Sequence, residues 1–278
     1  MSGKASGKYS SLEAAQWLED IAAAAGTHLD QARNQIGAAA TEPAFRRVEE
    51  DVLIQRGLAL FFAAKLRSAV LWRIYTLTGS RAAGEAAIAR YAAGRDAWAA
   101  MAERAKKIYR DDISYGGSQT SGHWADRVHS FDADIADMKK CFEAGEKSPR
   151  KYDNSAAARA LKMAGAKPVR PTVTAKHVPA EKCPSGQPLA IALHCDASSA
   201  RRVVLHYRHV NQAERWQAVE LKRDGNIFTG EIPADYTAKR YALQYYFEIE
   251  TGPAAATLFP PLATDLANVP YFVISRRV

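Results

Sequence analysis

The sequence has little cysteine, and what it has is not arranged for metal or for cross-links. Cys141, Cys183 and Cys195 are an odd number with no Cys-x-x-Cys pair. That removes a zinc knuckle and a disulfide framework, although a single Cys183–Cys195 bridge stays geometrically open. Also absent is any apolar run of about 18 residues, the length that a membrane-crossing helix requires. The opening MSGKASGKYSS lacks the apolar stretch of a secretory signal. It reads as a flexible start, or as the place where a longer protein was cut. Catalytic signatures are missing too: there is no His-Glu-x-x-His, no Gly-x-x-x-x-Gly-Lys-Ser/Thr and no Gly-x-Ser-x-Gly. No motif implies a cofactor, and the chain does not disclose its compartment.

What is present is ordinary globular composition, with 47% hydrophobic and 24% charged residues in a chain of 278. One or two domains fit that length. The net charge of +8 invites a nucleic-acid partner, but its distribution argues against one. Residues 166–278 carry 14 Lys and Arg against 10 Asp and Glu, and residues 1–165 carry 24 against 20, so each half is +4. No basic block exceeds two residues, whereas nucleic-acid binders concentrate their charge in a stripe.

The hydrophobic period changes partway along the chain. Up to about residue 165 the sequence is Ala-rich and helical in period. Ser10 or Ser11 is placed to cap a first helix that Gly26 is expected to stop, with Thr27 capping the next. A long helix follows from Ala44 to Thr78, ended by Gly79, and a fourth covers 82–110. In HWADRVHSFDADIADMKKCF, the residues Trp124, Val128, Phe131, Ile135, Met138 and Phe142 step by three and four. They lay down one apolar stripe that demands a cover. From Lys167 the period becomes two. LAIALHC alternates Leu189, Ile191, Leu193 and Cys195, and YALQYYFEIE alternates Tyr241, Leu243, Tyr245, Phe247 and Ile249. Turn signals, among them Asp224-Gly225, separate six or seven such runs.

The expected fold class is therefore multidomain, α plus all-β. A helical bundle of about five helices precedes an immunoglobulin- or fibronectin-like antiparallel β-sandwich. The boundaries predicted are a flexible start (1–10), the bundle (11–142), a linker with a short helix (143–166) and the sandwich (167–278).

Two regions carry candidate chemistry. On the Asp- and His-rich helix 123–137, Asp126, His129 and Asp132 are spaced i, i+3, i+6 and form a candidate metal or acid–base face. A solvated helix face, with Asp residues favouring the helix N-terminus, accounts for the same residues. The preceding GGSQTSGHW is a glycine-rich loop without a phosphate-binding signature, and it adds His123 and Trp124 as candidate contacts. Trp17, Trp72, Trp98 and Trp124 fall at helical core spacing, which reads as packing. In the second half, YRHVNQAERW places Arg208, His209 and Glu214 between two aromatics. Strand parity puts Val203, Leu205 and Tyr207 on the core side, with His209 on the same parity at the strand end, and Val204, His206, Arg208 and Val210 outside, with Asn211 to Glu214 as a turn. Trp216 and Tyr246 offer apolar ring faces to the CH side of a pyranose, and Arg208 joins them as a ligand-contact candidate. Asp111, Asp112, Glu214 and Glu248 supply carboxylates, but nothing in the sequence pairs any two as a glycosidase requires.

Four stretches are distinctive together: GHWADRVHSFDADIADM, LHYRHVNQAERWQAVEL, EIPADYTAKRYALQYYFEI and DLANVPYFVI. They resemble the C-terminal region of large, mostly bacterial, glycoside-hydrolase-like proteins of the hexosaminidase and α-glucuronidase type. In those proteins a catalytic barrel is followed by a helical domain and a small β-sandwich. The resemblance spans the chain from about Ser11 onward. It implies a non-catalytic accessory module with a catalytic barrel in a longer parent chain and carbohydrate as partners. No catalytic residue carries over, because the alternating strands and helices of a barrel are not here. Two other classes stay open, a protein-docking module without ligand and a small enzyme built on helix 123–137.

Overall fold

A computed structural model describes residues 6–114, 121–145, 152–183, 185–196 and 200–275. The chain divides into two compact units, one of Tyr9–Pro168 and one joining Ser2–Lys8 to Val169–Val278.

In the first unit, helix α1 (Ser11–Ile36) starts at a capping box. Ser10 Oγ accepts the Glu13 N–H at 3.2 Å, and Glu13 Oε2 accepts the Ser10 N–H at 2.7 Å. The expected stop at Gly26 does not occur, and Thr27 caps nothing. α1 runs through both, and the Thr27 hydroxyl donates back to the Ala23 carbonyl at 3.2 Å. A Cβ at Gly26 would lie 3.2 Å from Arg56 Cζ, so this glycine is where a neighbouring helix comes close rather than a terminator. That neighbour is α2 (Pro43–Thr78), with proline at its first turn and a left-handed Gly79 (φ +69°) closing its end. α3 (Arg81–Ala105) packs along α2 closely enough that a Cβ on Gly57 would fall 2.5 Å from Met101 Cβ.

A two-residue ladder pairs β1 (Ile113–Ser114) with β2 (Ser121–Gly122). A 3-10 turn (Trp124–Arg127) then leads into α4 (Val128–Ala144), where one continuous helix was expected. The apolar stripe finds its cover. Phe131 is buried with Phe61, Tyr91, Trp98 and Met101, and Trp124, Val128, Ile135 and Met138 pack against the same cluster. Phe142 joins a second cluster with Leu71, Ile74 and Tyr75. α5 (Asn154–Gly165), the short helix of the expected linker, buries Ala164 in that second cluster.

The second unit is antiparallel β-structure. Its strands are β3 (Ala175–Lys176), β4 (Leu189–Cys195), β5 (Arg202–His209), β6 (Gln217–Glu220), β7 (Lys222–Asp224) and β8 (Ile227–Ile232). After the single turn α6 (Ala234–Thr237) come β9 (Leu243–Gly252), β10 (Ala255–Phe259) and β11 (Phe272–Ile274). One sheet has the order β10-β9-β5-β6 with β11 also on β9, and the other has the order β3-β4-β8-β7. The period-two pattern gives the inward faces, but Val204 and Gln244, which parity placed outward, are also buried, at 8% and 5% exposure, because their neighbours cover that face as well. Leu189, Ile191, Leu193 and Cys195 are buried and the residues between them exposed. Residues of both sheets share one core, in which Leu193, Val203, Leu205, Ile232, Leu243, Tyr245, Phe247 and Ile249 are each 0% exposed. Tyr241 leaves the expected row because the strand begins only at Leu243, and its side chain is 45% exposed. Gly225, with φ +56°, turns the β7–β8 hairpin. Cys183 and Cys195 are both buried, and the bridge between them that the sequence left open is not formed.

Candidate functional site

The outward row of β5 faces that of β9 in fixed register: Arg202 opposite Glu250, His206 opposite Tyr246, and Arg208 opposite Gln244. This register sets polar and aromatic side chains side by side along the five-stranded sheet, interrupted by Val204, which lies opposite Glu248 and is buried. At one end Arg202 bridges Glu220 at 2.7 Å and Glu250 at 2.8 Å. Next, His206 Nε2 lies 3.0 Å from Glu248 Oε2, and the His206 ring stacks on Tyr246 with centroids 4.8 Å apart. The Gly7 N–H donates to Glu248 Oε1 at 2.5 Å, and the Gly7 carbonyl accepts from Arg170 Nη1 at 2.5 Å. Glu248 is held below the usual carboxylate range, chiefly by the His206 hydrogen bond and further by Gly7, against the opposing effect of burial.

At the other end Trp216, at the start of the segment leading into β6, meets Tyr246 edge to face at 4.8 Å. The Arg208 guanidinium lies 4.6 Å from the Trp216 ring centroid, a cation–π distance. Arg208 is itself held. Its Nη1 donates to the Glu214 carbonyl at 3.3 Å. With the Gln244 amide oriented so that its oxygen faces the guanidinium, that oxygen accepts from Nε at 2.5 Å and Nη2 at 3.1 Å. Burial, aided by Glu248 and opposed by Arg208, raises the Tyr246 hydroxyl above its ordinary pKa. Arg208, Trp216 and Tyr246, separate candidates in the sequence, are thus one contiguous cluster.

Beneath the turn that leads to Trp216 is a group whose pairing the sequence did not disclose. His209 is 0% exposed, as its core parity predicted. Its Nδ1 lies 2.7 Å from Glu214 Oε2 and its Nε2 lies 3.1 Å from the Tyr236 carbonyl. The Tyr236 ring stacks on the imidazole with centroids 4.2 Å apart, its hydroxyl donates to Glu214 at 3.0 Å, and it accepts the His209 N–H at 3.2 Å. Burial pushes the Glu214 carboxyl up, but the hydrogen bonds from His209 and Tyr236 outweigh it and leave the group below its ordinary value. Glu214 read as an ordinary turn residue. The available signal was a core-parity histidine followed five residues later by a carboxylate.

The helical candidates are structural in their contacts. His123 caps the 3-10 turn: its Nδ1 accepts the Ala125 N–H at 3.1 Å, and Asp126 Oδ2 accepts the His123 N–H at 2.7 Å. Its Nε2 is buried without a hydrogen-bond partner among the described residues. The Trp124 carbonyl accepts from Trp98 Nε1 at 2.7 Å, and its ring packs on Tyr109. Residues 115–120 of the glycine-rich loop lie outside the described residues. No group of three metal-ligating side chains forms among the described residues. Asp126 sits in the 3-10 turn rather than on α4, which breaks the expected register, and it is occupied as a cap. Asp132 is taken by Arg95 at 2.8 and 3.1 Å, and His129 Nε2 lies 3.5 Å from Ser130 Oγ.

No helix among the described residues is long and apolar enough to cross a membrane. No protein-family model, curated protein or solved structure matches the chain.

Proposed function

We propose that the chain is a non-catalytic accessory module associated with a glycoside hydrolase, and that its β unit, read as an immunoglobulin-like sandwich, contacts carbohydrate. The observation that carries this reading is the joining of Trp216, Arg208 and Tyr246 into one surface cluster, with Gln244, His206 and Glu248 beside it. A sugar presents CH faces that suit aromatic rings and hydroxyls that suit fixed amide, guanidinium and carboxylate groups. Arg208 is already anchored by Gln244 and by the Glu214 carbonyl, so little side-chain freedom remains to be lost on binding. A glycan array followed by calorimetry on wild type, Trp216→Ala and Tyr246→Ala tests the reading. Binding that either substitution removes supports it. A folded wild-type chain that binds no glycan rejects it.

A second reading, docking without a small ligand, is favoured by a different observation. An apolar groove of about 550 Å³ lies between α1 and α2, lined by Leu18, Ala22, Val52 and Ala59. Ile21 and Phe62, also in its lining, are 51% and 48% exposed. A soluble protein seldom leaves such a patch without a partner. The occupant we assign to it is the catalytic barrel of a longer parent. Affinity capture with wild type and Phe62→Asp discriminates: loss of a barrel-bearing hydrolase from the variant's capture supports docking, and equal capture rejects it.

A further inference from the structure

We propose that residues 6–8 are a built part of the Trp216 surface: a strap that Arg170 grips and that seats Gly7 on Glu248, holding this carboxylate and the His206–Tyr246 stack beside it in the arrangement a ligand meets. Gly7 and Arg170 are thus positioning residues for that surface. In its use the strap rests on the carbohydrate reading, but its first test needs no ligand.

The strap is held through its backbone. Arg170 donates from Nη1 to the Gly7 carbonyl at 2.5 Å and from Nη2 to the Lys8 carbonyl at 3.2 Å, a fork on two consecutive peptide groups. On its other side the Gly7 N–H donates to Glu248 Oε1 at 2.5 Å. Such contacts accept any side chain, and space alone selects glycine. Gly7 is buried, and its φ lies outside the left-handed region. A Cβ there would fall 2.7 Å from Leu258 Cδ2 and 2.9 Å from the Thr257 carbonyl oxygen. The leucine methyl can turn aside. The carbonyl belongs to the paired backbone of β10 and cannot, so an alanine at position 7 must lift the strap from its seat.

From Gly7 the contacts run on to the aromatic cluster. Oε2 of the same carboxylate lies 3.0 Å from His206 Nε2, the His206 ring stacks on Tyr246 with planes 12° apart, and Tyr246 meets Trp216. Glu248 is therefore tied at both oxygens, and without the strap Oε1 loses its protein donor. The Gly7 N–H favours the ionised carboxylate, so its loss raises the Glu248 carboxyl pKa. The charged groups that act with it are His206 on β5 and Lys8 on the strap. Tyr246, on β9 itself, carries a further titratable group, its hydroxyl. Leu258 and Val204, which flank Glu248 on β10 and β5, carry no charge, and Arg202 is engaged by Glu220 and Glu250.

The first experiment is NMR of the full chain without ligand, following the residue 7 amide proton and the Glu248 carboxyl carbon across pH. In wild type the Gly7 amide proton should lie downfield and move with the Glu248 titration, because its acceptor is the group that titrates. Gly7→Ala, and Arg170→Met, which introduces no clash, should each raise the Glu248 midpoint and weaken that coupling. The double variant should raise the midpoint no further than the larger single change, because Arg170 acts through the strap. A Gly7 amide that ignores the Glu248 titration, or an Arg170→Met effect that adds in full to that of Gly7→Ala, would overturn the strap. The second experiment repeats the glycan array with each single variant beside wild type. Glycans that wild type retains should bind the variants roughly 3- to 10-fold more weakly, since the carboxylate must then be ordered on binding. Unchanged binding by variants whose Glu248 midpoint has moved would overturn the positioning role. A wild-type chain that shows the amide signature and retains no glycan rejects the carbohydrate reading and leaves the strap standing.

Discussion

Truncating Glu214 to alanine should loosen the β unit far more than replacing it with glutamine. Glu214→Ala leaves the His209 imidazole, at 0% exposure, with no partner at Nδ1 and removes the acceptor of the Tyr236 hydroxyl. A fully buried ion pair broken on one side costs about 3–5 kcal/mol. The Glu214 side chain is 26% exposed, so water can enter and the lower figure for a hydrogen bond to a charged group, about 2–3 kcal/mol, is the better guide. Glutamine keeps the shape, and the one amide atom that replaces Oε2 keeps either the Tyr236 or the His209 contact, so it should cost about 0.5–1 kcal/mol. Hydrogen exchange on the full chain reads the difference locally, without assuming that two units unfold together. The amide of Val210, bonded to the Ala242 carbonyl at 2.8 Å, and those of Tyr236 and Thr237 report on the surroundings of the His209–Glu214 contact. Their exchange should rise roughly 30- to 150-fold in Glu214→Ala and less than about fivefold in Glu214→Gln. Equal exchange in the two variants would refute the reasoning, since it would mean that the His209 contact contributes nothing beyond the space Glu214 fills.

Three further outcomes follow from other parts of the molecule. Gly57→Ala should destabilise the helical unit by about 1–3 kcal/mol, because the new Cβ meets Met101 Cβ at 2.5 Å and neither α2 nor α3 can shift cheaply; helical circular dichroism on heating checks it. Leu193→Ala, at a fully buried position between the sheets' core residues, should cost about 2–5 kcal/mol, read as a lower denaturation midpoint of the β unit. Glu248, whose pKa is depressed when folded, contributes stability that is present above its unfolded value and lost as pH falls through its folded value. Glu248→Gln should therefore flatten the acid limb of the unfolding curve, and an unchanged limb would contradict the assignment.

The parts of this architecture that were legible in the sequence are those set by burial of one face. LAIALHC could sit only with Leu189, Ile191, Leu193 and Cys195 inward, and the stripe from Trp124 to Phe142 needed a cover that α2 and α3 supply. Gly26 misled because a glycine in mid-helix costs only about 1 kcal/mol, which close packing against α2 offsets. The cluster was legible as residues but not as a site. Outward parity marked Arg208 and Tyr246, yet their meeting with Gln244 and Trp216 depends on the β5–β9 register and on the path of the 210–216 turn. Period-two patterning does not encode a turn's path, and the His209–Glu214 pairing was hidden for the same reason. On helix 123–137 spacing alone suggested a metal face. Capping by Asp126 and the Arg95–Asp132 ion pair, both set by three-dimensional neighbours, account for those side chains instead.

The most direct test of the accessory-module account is an indole NMR titration of the full chain with the oligosaccharide that the glycan array selects. Trp17, Trp72, Trp98 and Trp124 belong to the helical unit and serve as internal references, while Trp216 belongs to the β unit. The account predicts that the Trp216 signal alone moves, saturably, and that Tyr246→Ala abolishes the shift. Movement of the helical indoles with a fixed Trp216, or no saturable shift in any of the five, would contradict it.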